Sequence, residues 1–474
     1  MTKKYKSIGV VDEPIDPSEF SEQSSDTLGV KHYAKALQNF VEQTDTPMTI
    51  GIQGEWGSGK TSLLKEILQG LEGKKINTKY QCFWIDAWEH SLLKKPEETL
   101  ISIINEISNG ISELNPKNSR SKKITNIGKN LLSGAIKVAA GVTMGEAGVQ
   151  VADGYLQNQT ENSIKKLRLE LQNFINETIE DKETSNINNI EKIVFFIDDL
   201  DRLEPKNSLK IIELLKNIFS TKHCVFILAI DYQVIVKGLE EKFGKQNENN
   251  EREFRSFFDK IIQLPFTMPI NSYDVSSYIL NLLEKIEFIE DKNTFDHDLI
   301  IEVLKNTIGS NPRSIKRLIN SISLIRLLND IRVEQNLIEK TDEKDKVLIF
   351  SLVCCQVAYP KIYEIFSQNI NIQDWDDNLA FEYTQKKEDL NPNFRGFLEN
   401  AKNTSEFDDP WEQCVFRICY NFLELKPFTL KIVQFLRMFV DGKIEFTDGQ
   451  INEIFANTSA TAVTVNENFK YEKA

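Results

Sequence analysis

Gly54-Glu55-Trp56-Gly57-Ser58-Gly59-Lys60-Thr61 fits the pattern G-x-x-x-x-G-K-[ST], the phosphate-binding loop of proteins that hold nucleoside triphosphates. Its flanks agree with it. Met48-Thr49-Ile50-Gly51-Ile52 reads as a short buried strand, and Thr61 to Leu68 reads as a helix. Backbone N–H groups of such a loop and the positive end of the helix dipole converge on phosphate. Glycines at 54, 57 and 59 permit backbone shapes and close approaches that a Cβ would block. The nucleotide cradle is therefore Gly54, Glu55, Trp56, Gly57, Ser58, Gly59, Lys60, Thr61 and Ser62. In it Lys60 reaches the β- and γ-phosphates, and the Thr61 hydroxyl is a ligand for Mg²⁺.

The second stretch is Ile193-Val194-Phe195-Phe196-Ile197-Asp198-Asp199. Five apolar residues ending in paired carboxylates predict a buried parallel strand that opens at the ligand crevice of an α/β sheet. Asp198 is the candidate metal ligand, and Asp199 the candidate general base toward an attacking water. Further strands are expected at 80–88, 224–230 and 260–266, the last ended by Pro265 and Pro269. Helices are expected between them. Asp231, just after the 224–230 strand, is either a polar sensor beside the γ-phosphate or the cap of the helix that follows. Asn311-Pro312 starts a helix with proline in its first turn, and Arg313, Lys316 and Arg317 lie on it. Arg313 is a candidate catalytic cation for the γ-phosphate; the alternative is a solvated basic helix. Arg255 or Lys260, basic residues before the fifth strand, are candidate fingers acting across a subunit boundary.

The fold class that follows is α/β, a three-layer phosphate-loop domain with a parallel sheet, plus an all-helical C-terminal region. The expected divisions are a lead-in at 1–25 and the core at 26–270, with a basic, Gly/Ala-rich insertion at about 115–160. A helical continuation at 271–330, a C-terminal helical domain at 331–456 and a disordered tail at 457–474 complete it.

Composition bounds the partners. The 474 residues carry a net charge of −14, which argues against general nucleic-acid binding. Hydrophobic content of 41% and charged content of 27% suit a soluble protein. The six cysteines sit in apolar runs without disulfide or zinc spacing, as buried thiols in a reducing cytosol do. No signal peptide and no stretch of eighteen uncharged apolar residues stands out, so the expected location is cytoplasmic. One segment, Lys117 to Gly145, has no acidic residue and six basic ones, with Ile124, Ile127, Leu131, Ala135, Val138 and Val142 on one helical face. It is either a basic amphipathic helix for an anionic membrane or a partner, or a surface helix packed on its own domain. The C-terminal helices are the expected site of self-association or of a partner protein.

Taken together, these motifs resemble the KAP family of P-loop NTPases. The carrying residues are the loop at 54–61 with its Trp, Asp-Ala-Trp at 86–88 and Asp-Asp-Leu-Asp-Arg at 198–202. Phe-Asp-Lys-Ile-Ile-Gln-Leu-Pro-Phe at 258–266 and Asn-Pro-Arg-Ser-Ile-Lys-Arg at 311–317 belong to the same set. The resemblance covers roughly residues 26–325. It implies ATP binding and Mg²⁺-dependent hydrolysis, the three-layer domain with its helical continuation, and a long insertion between the two motifs, here without a clear membrane span. It also points to phage exclusion as a biology of bacterial relatives.

Overall fold

In the computed structural model, the described residues are 9–14, 28–72, 79–92, parts of 99–127 and 165–179, and 190–461 apart from short breaks. The chain divides into two units. One holds Pro14–Pro269, the other Ile270–Ala474 together with Met1–Glu13.

The first unit holds strands β1 (Met48–Gln53), β2 (Tyr80–Asp86), β3 (Lys192–Asp198), β4 (Cys224–Ile230) and β5 (Leu264–Thr267), with helix α1 (Lys31–Gln43) before β1 and helix α2 (Lys60–Glu72) after it. The strands form one parallel sheet of order β2-β3-β4-β1-β5. Every residue of β4 is buried, as is all of β3 past Lys192. Continuous apolar runs of this kind need cover on both faces. Ile193, Phe195 and Ile197 of β3 join Phe226 and Leu228 of β4 in one core, which helices 205–215 and 232–243 supply from above with Ile211, Leu215 and Leu239. The alternate residues Val194, Phe196, Val225 and Ile227 are equally buried on the opposite face. A ladder of rings fixes the register. Phe83 stacks on Phe195 at 5.4 Å and Phe195 on Phe226 at 5.0 Å, each pair directly opposed across neighbouring strands.

Two strand ends differ from expectation. The second strand stops at Asp86 rather than 88, because the Asp86 side chain accepts the Glu89 N–H (2.8 Å) and starts a helix, α3 (Ala87–Ser91). The fifth strand begins at Leu264, since Ile261 and Ile262 still donate to Phe258 O in a turn. Pro265 lies inside it rather than ending it. An edge strand tolerates the missing donor.

The second unit is helical. Its helix Glu343–Ala358 buries Leu348 through Gln356 without a break, so it is covered on all sides and forms the centre of the unit. Helix Pro312–Glu334 starts as the sequence implies, with Asn311 accepting from Arg313 N at 3.0 Å and Pro312 in the first turn. The chain continues with defined contacts past 457: Thr458 is buried, and Thr461 Oγ1 donates to Gln356 Oε1 (2.8 Å). At the other end, residues 9–13 are docked rather than loose. Val10 exchanges two hydrogen bonds with the Asn320 side chain (2.7 and 2.9 Å), and Lys316 donates to Glu13 O at 2.9 Å.

Helices 205–215 and 232–243 owe their close approach to Gly238. A Cβ there meets Pro205 O at 2.5 Å, and that oxygen is backbone. Gly238→Ala is expected to lower stability by about 1–3 kcal/mol through this overlap, despite alanine's better helix propensity, as read by chemical denaturation.

Candidate phosphate-loop site

The loop is held from its own strand and from its neighbours. Gly54 N donates to Ile230 O at the end of β4 (3.2 Å), and Ser58 N closes a turn on Glu55 O (3.1 Å). Gly57 and Gly59 have φ of 84° and 97°, in the left-handed region that only glycine adopts at little cost. A Cβ at Gly54 meets Ser58 Oγ at 2.5 Å and Met268 Cγ at 2.8 Å. Helix α2 (Lys60–Glu72) then leaves the loop with Leu63, Leu64 and Ile67 buried.

Lys60 is buried, and its ammonium donates to Gly54 O (2.9 Å) and Glu55 O (3.2 Å) and forms an ion pair with Asp201 Oδ2 (2.7 Å). Asp201, the fourth residue of Asp-Asp-Leu-Asp-Arg, has no role that its local sequence alone assigns. The signal that finds it is spacing: it lies three residues beyond Asp198, in the single 3₁₀ turn Leu200–Arg202 that follows β3.

Asp198 ends β3 and is 3% exposed. It accepts hydrogen bonds from the Thr61 hydroxyl and from Asp199 N (2.9 Å). Burial raises its pKa, and these two bonds oppose the rise. Thr61 and Asp198 are thus in contact, a hard-oxygen pair from two different elements. That donor chemistry fits Mg²⁺, and the glycine-lined loop beside it fits the phosphates of ATP. Asp199 turns away into the left-handed region at φ 56°. Its pKa is pushed up to about 6, first by burial and then by the charge of Asp198, with Arg202 opposing. Arg202 Nε lies 2.8 Å from Asp199 Oδ1. Asp86, level with Asp198 on the neighbouring strand, adds a fourth carboxylate.

The remaining candidates are placed as follows. Asp231 caps helix 232–243 by accepting the Gln233 N–H (2.9 Å), and it directly follows the Ile230 carbonyl that holds Gly54. The capping alternative is therefore realised, on a residue adjoining the loop. Arg313 belongs to the second unit, where it pairs with Asp12 at 2.5 Å. Arg255 is exposed and pairs with Glu251 one turn earlier. In the 117–145 stretch, Arg120 is bonded to Glu170 (2.9 Å) and Glu177 (2.7 Å), and Ile124 is fully buried in the sheet core. This part is packed on its own domain; residues 128–145 lie outside the described residues. All six cysteines are buried and free. Among the described residues no helix is long and apolar enough to cross a membrane.

The Lys60–Asp201 pair has a measurable signature. Removing one partner of a buried pair strands the other charge. Asp201→Ala is expected to cost about 3 kcal/mol of stability in urea denaturation. Lys60→Met combined with Asp201→Ala should cost clearly less than the two single losses added together.

The chain has recognisable likenesses among known proteins. A region of the chain is 24% identical over 297 residues to the phage T7 exclusion protein of Escherichia coli (strain K12), covering 58% of this chain. The chain spans only 38% of that relative's length. Among solved structures, the Aeropyrum pernix ORC2 protein, determined as ADPNP and ADP complexes, aligns over 94% of this chain and 97% of its own. Its identity is 13% and its TM-score 0.31. Residues 30–329 match the KAP family P-loop domain, well over half of the chain, and the protein belongs to that family.

Proposed function

We propose that the chain is a Mg²⁺-dependent ATPase that uses ATP as a switch or motor within a larger assembly. The observation that carries the reading is the convergence of three elements at one point. The glycine loop brings Lys60, α2 brings Thr61, and the end of β3 brings Asp198 into contact with Thr61 and Asp199 beside it.

In this reading the loop amides and Lys60 bind the β- and γ-phosphates, exchanging the Asp201 contact for phosphate oxygen. Mg²⁺, held by Thr61 and Asp198, would neutralise charge on the phosphates. Asp199 orients the water and accepts its proton. Asp231 adjoins the loop as a secondary polar contact. The helical unit reports the nucleotide state to a second copy or a partner protein. The name of the relative supports antiphage defence as the setting, inside the cell where ATP is supplied.

Steady-state ATP turnover tests this. Lys60→Ala should abolish tight nucleotide binding. Asp199→Asn should bind nucleotide normally and turn it over on the order of 100-fold or more slowly. Turnover equal to wild type in both variants refutes the assignment. Measurable binding with negligible wild-type turnover favours instead an ATP-binding regulatory scaffold. Light scattering with and without ATP checks the switch: a nucleotide-independent mass counts against a switching assembly.

A further inference from the structure

Asp-Ala-Trp at 86–88 and the terminal Arg of Asp-Asp-Leu-Asp-Arg have no place in the phosphate and metal chemistry above, yet the fold brings them together. The β2–β3 register sets Asp86 opposite Asp198. The Asp86 cap then turns the chain into α3, and this carries Trp88 over the 3₁₀ turn after β3. The Arg202 guanidinium carbon lies 5.2 Å from the centre of the Trp88 ring. Its Nε is simultaneously 2.8 Å from Asp199 Oδ1. Arg202 N also closes the turn on Asp199 O at 3.3 Å.

We propose that Arg202 is a positioning residue for Asp199 and that Trp88 is the platform that holds Arg202 in place. This rests on the ATPase reading given above. The guanidinium fixes Asp199 Oδ1, so the carboxylate plane is set and Oδ2 is the oxygen presented to water. The chemistry selects arginine over lysine. A planar guanidinium can lie over an indole by its face and keep its edge, here Nε at 2.8 Å, against the carboxylate; a lysine ammonium has no flat face to stack.

An exposed i,i+3 ion pair alone is weak. Here three features exceed that case. Asp199 is only 15% exposed at its side chain, the guanidinium has the ring as a second partner, and the Asp199 backbone is held in the left-handed region. Strain of that kind persists only where its surroundings impose it.

The test compares Arg202→Ala, Arg202→Lys, Trp88→Ala, Trp88→Phe and the Arg202→Ala/Trp88→Ala double variant. Arg202→Ala is expected to lower kcat roughly 10- to 100-fold, the range for partners that orient a reacting group, while the Kd for a fluorescent ATP analogue changes by less than about threefold. Trp88→Ala should lower kcat less, Trp88→Phe should retain most of it, and Arg202→Lys should fall between Arg202→Ala and wild type. Because Trp88 acts through Arg202, the double variant should be no slower than Arg202→Ala.

A readout without nucleotide accompanies this. Trp88 emission, isolated as the difference between wild type and Trp88→Phe, should change when Arg202→Ala removes the stacked cation. Unchanged emission overturns the platform. Unchanged kcat in Arg202→Ala, additive losses in the double variant, or a fall in kcat accompanied by a rise in Kd and a loss of thermal stability overturn the positioning role. Absence of turnover in wild type sinks the ATPase reading, and the positioning role with it. Wild-type turnover with an unaffected Arg202→Ala sinks the positioning role alone.

Discussion

Four carboxylates, Asp86, Asp198, Asp199 and Asp201, gather at the C-terminal ends of two adjacent strands. Burial makes each of them costly unless a cation or a donor answers it. Lys60 answers Asp201, Arg202 answers Asp199, and Thr61 with the Asp199 amide answers Asp198. The phosphate loop is drawn into this balance because Lys60 is its last residue but one. The loop's shape, the start of α2 and the 3₁₀ turn after β3 thus answer to the same charge arithmetic. In the function proposed above, a divalent cation and a polyanion entering this set would rearrange its pairing, and that rearrangement is the proposed switch.

The interposed strand matters to the same end. β4 lies between β1, which carries the loop, and β3, which carries the carboxylates. The loop after β1 and the turn after β3 are thus two strand spacings apart, and the Lys60 and Asp201 side chains span that gap to meet at 2.7 Å. β4 also contributes directly, since its last carbonyl anchors Gly54. Its seven residues are all buried, so this spacing is set by a strand covered on both faces.

What was legible beforehand follows the range of each signal. The loop, the strand before it and the helix after it are one contiguous stretch, and their chemistry is local. The same is true of β3 and its terminal carboxylates, and of the Asn311-Pro312 helix start. Asp201 and Arg202 were visible as letters but not as partners, because Lys60 and Trp88 come from other strands' ends, more than a hundred residues away. Strand ends are not legible where a side chain ends the strand by capping a helix, as Asp86 does for α3. Asp231 illustrates a different limit. One carboxylate after a strand serves a cap and a ligand site equally well on paper, and only the Gln233 bond shows which role its geometry already fills. The docking of residues 9–13 had no local signal at all.

That docking has a consequence for the order in which the chain acquires structure. Val10 and Asn320 are 310 positions apart, and everything in the phosphate-loop unit is made between them. Closing a flexible loop of that length costs about 5 kcal/mol in chain entropy on a (3/2)RT ln n scaling, which two exposed hydrogen bonds do not repay. The contact becomes affordable only once the intervening residues have folded and shortened the path. Residues 9–13 are synthesised well before helix Pro312–Glu334 yet are among the last to settle, and their seating on that helix marks a chain whose intervening part is already built.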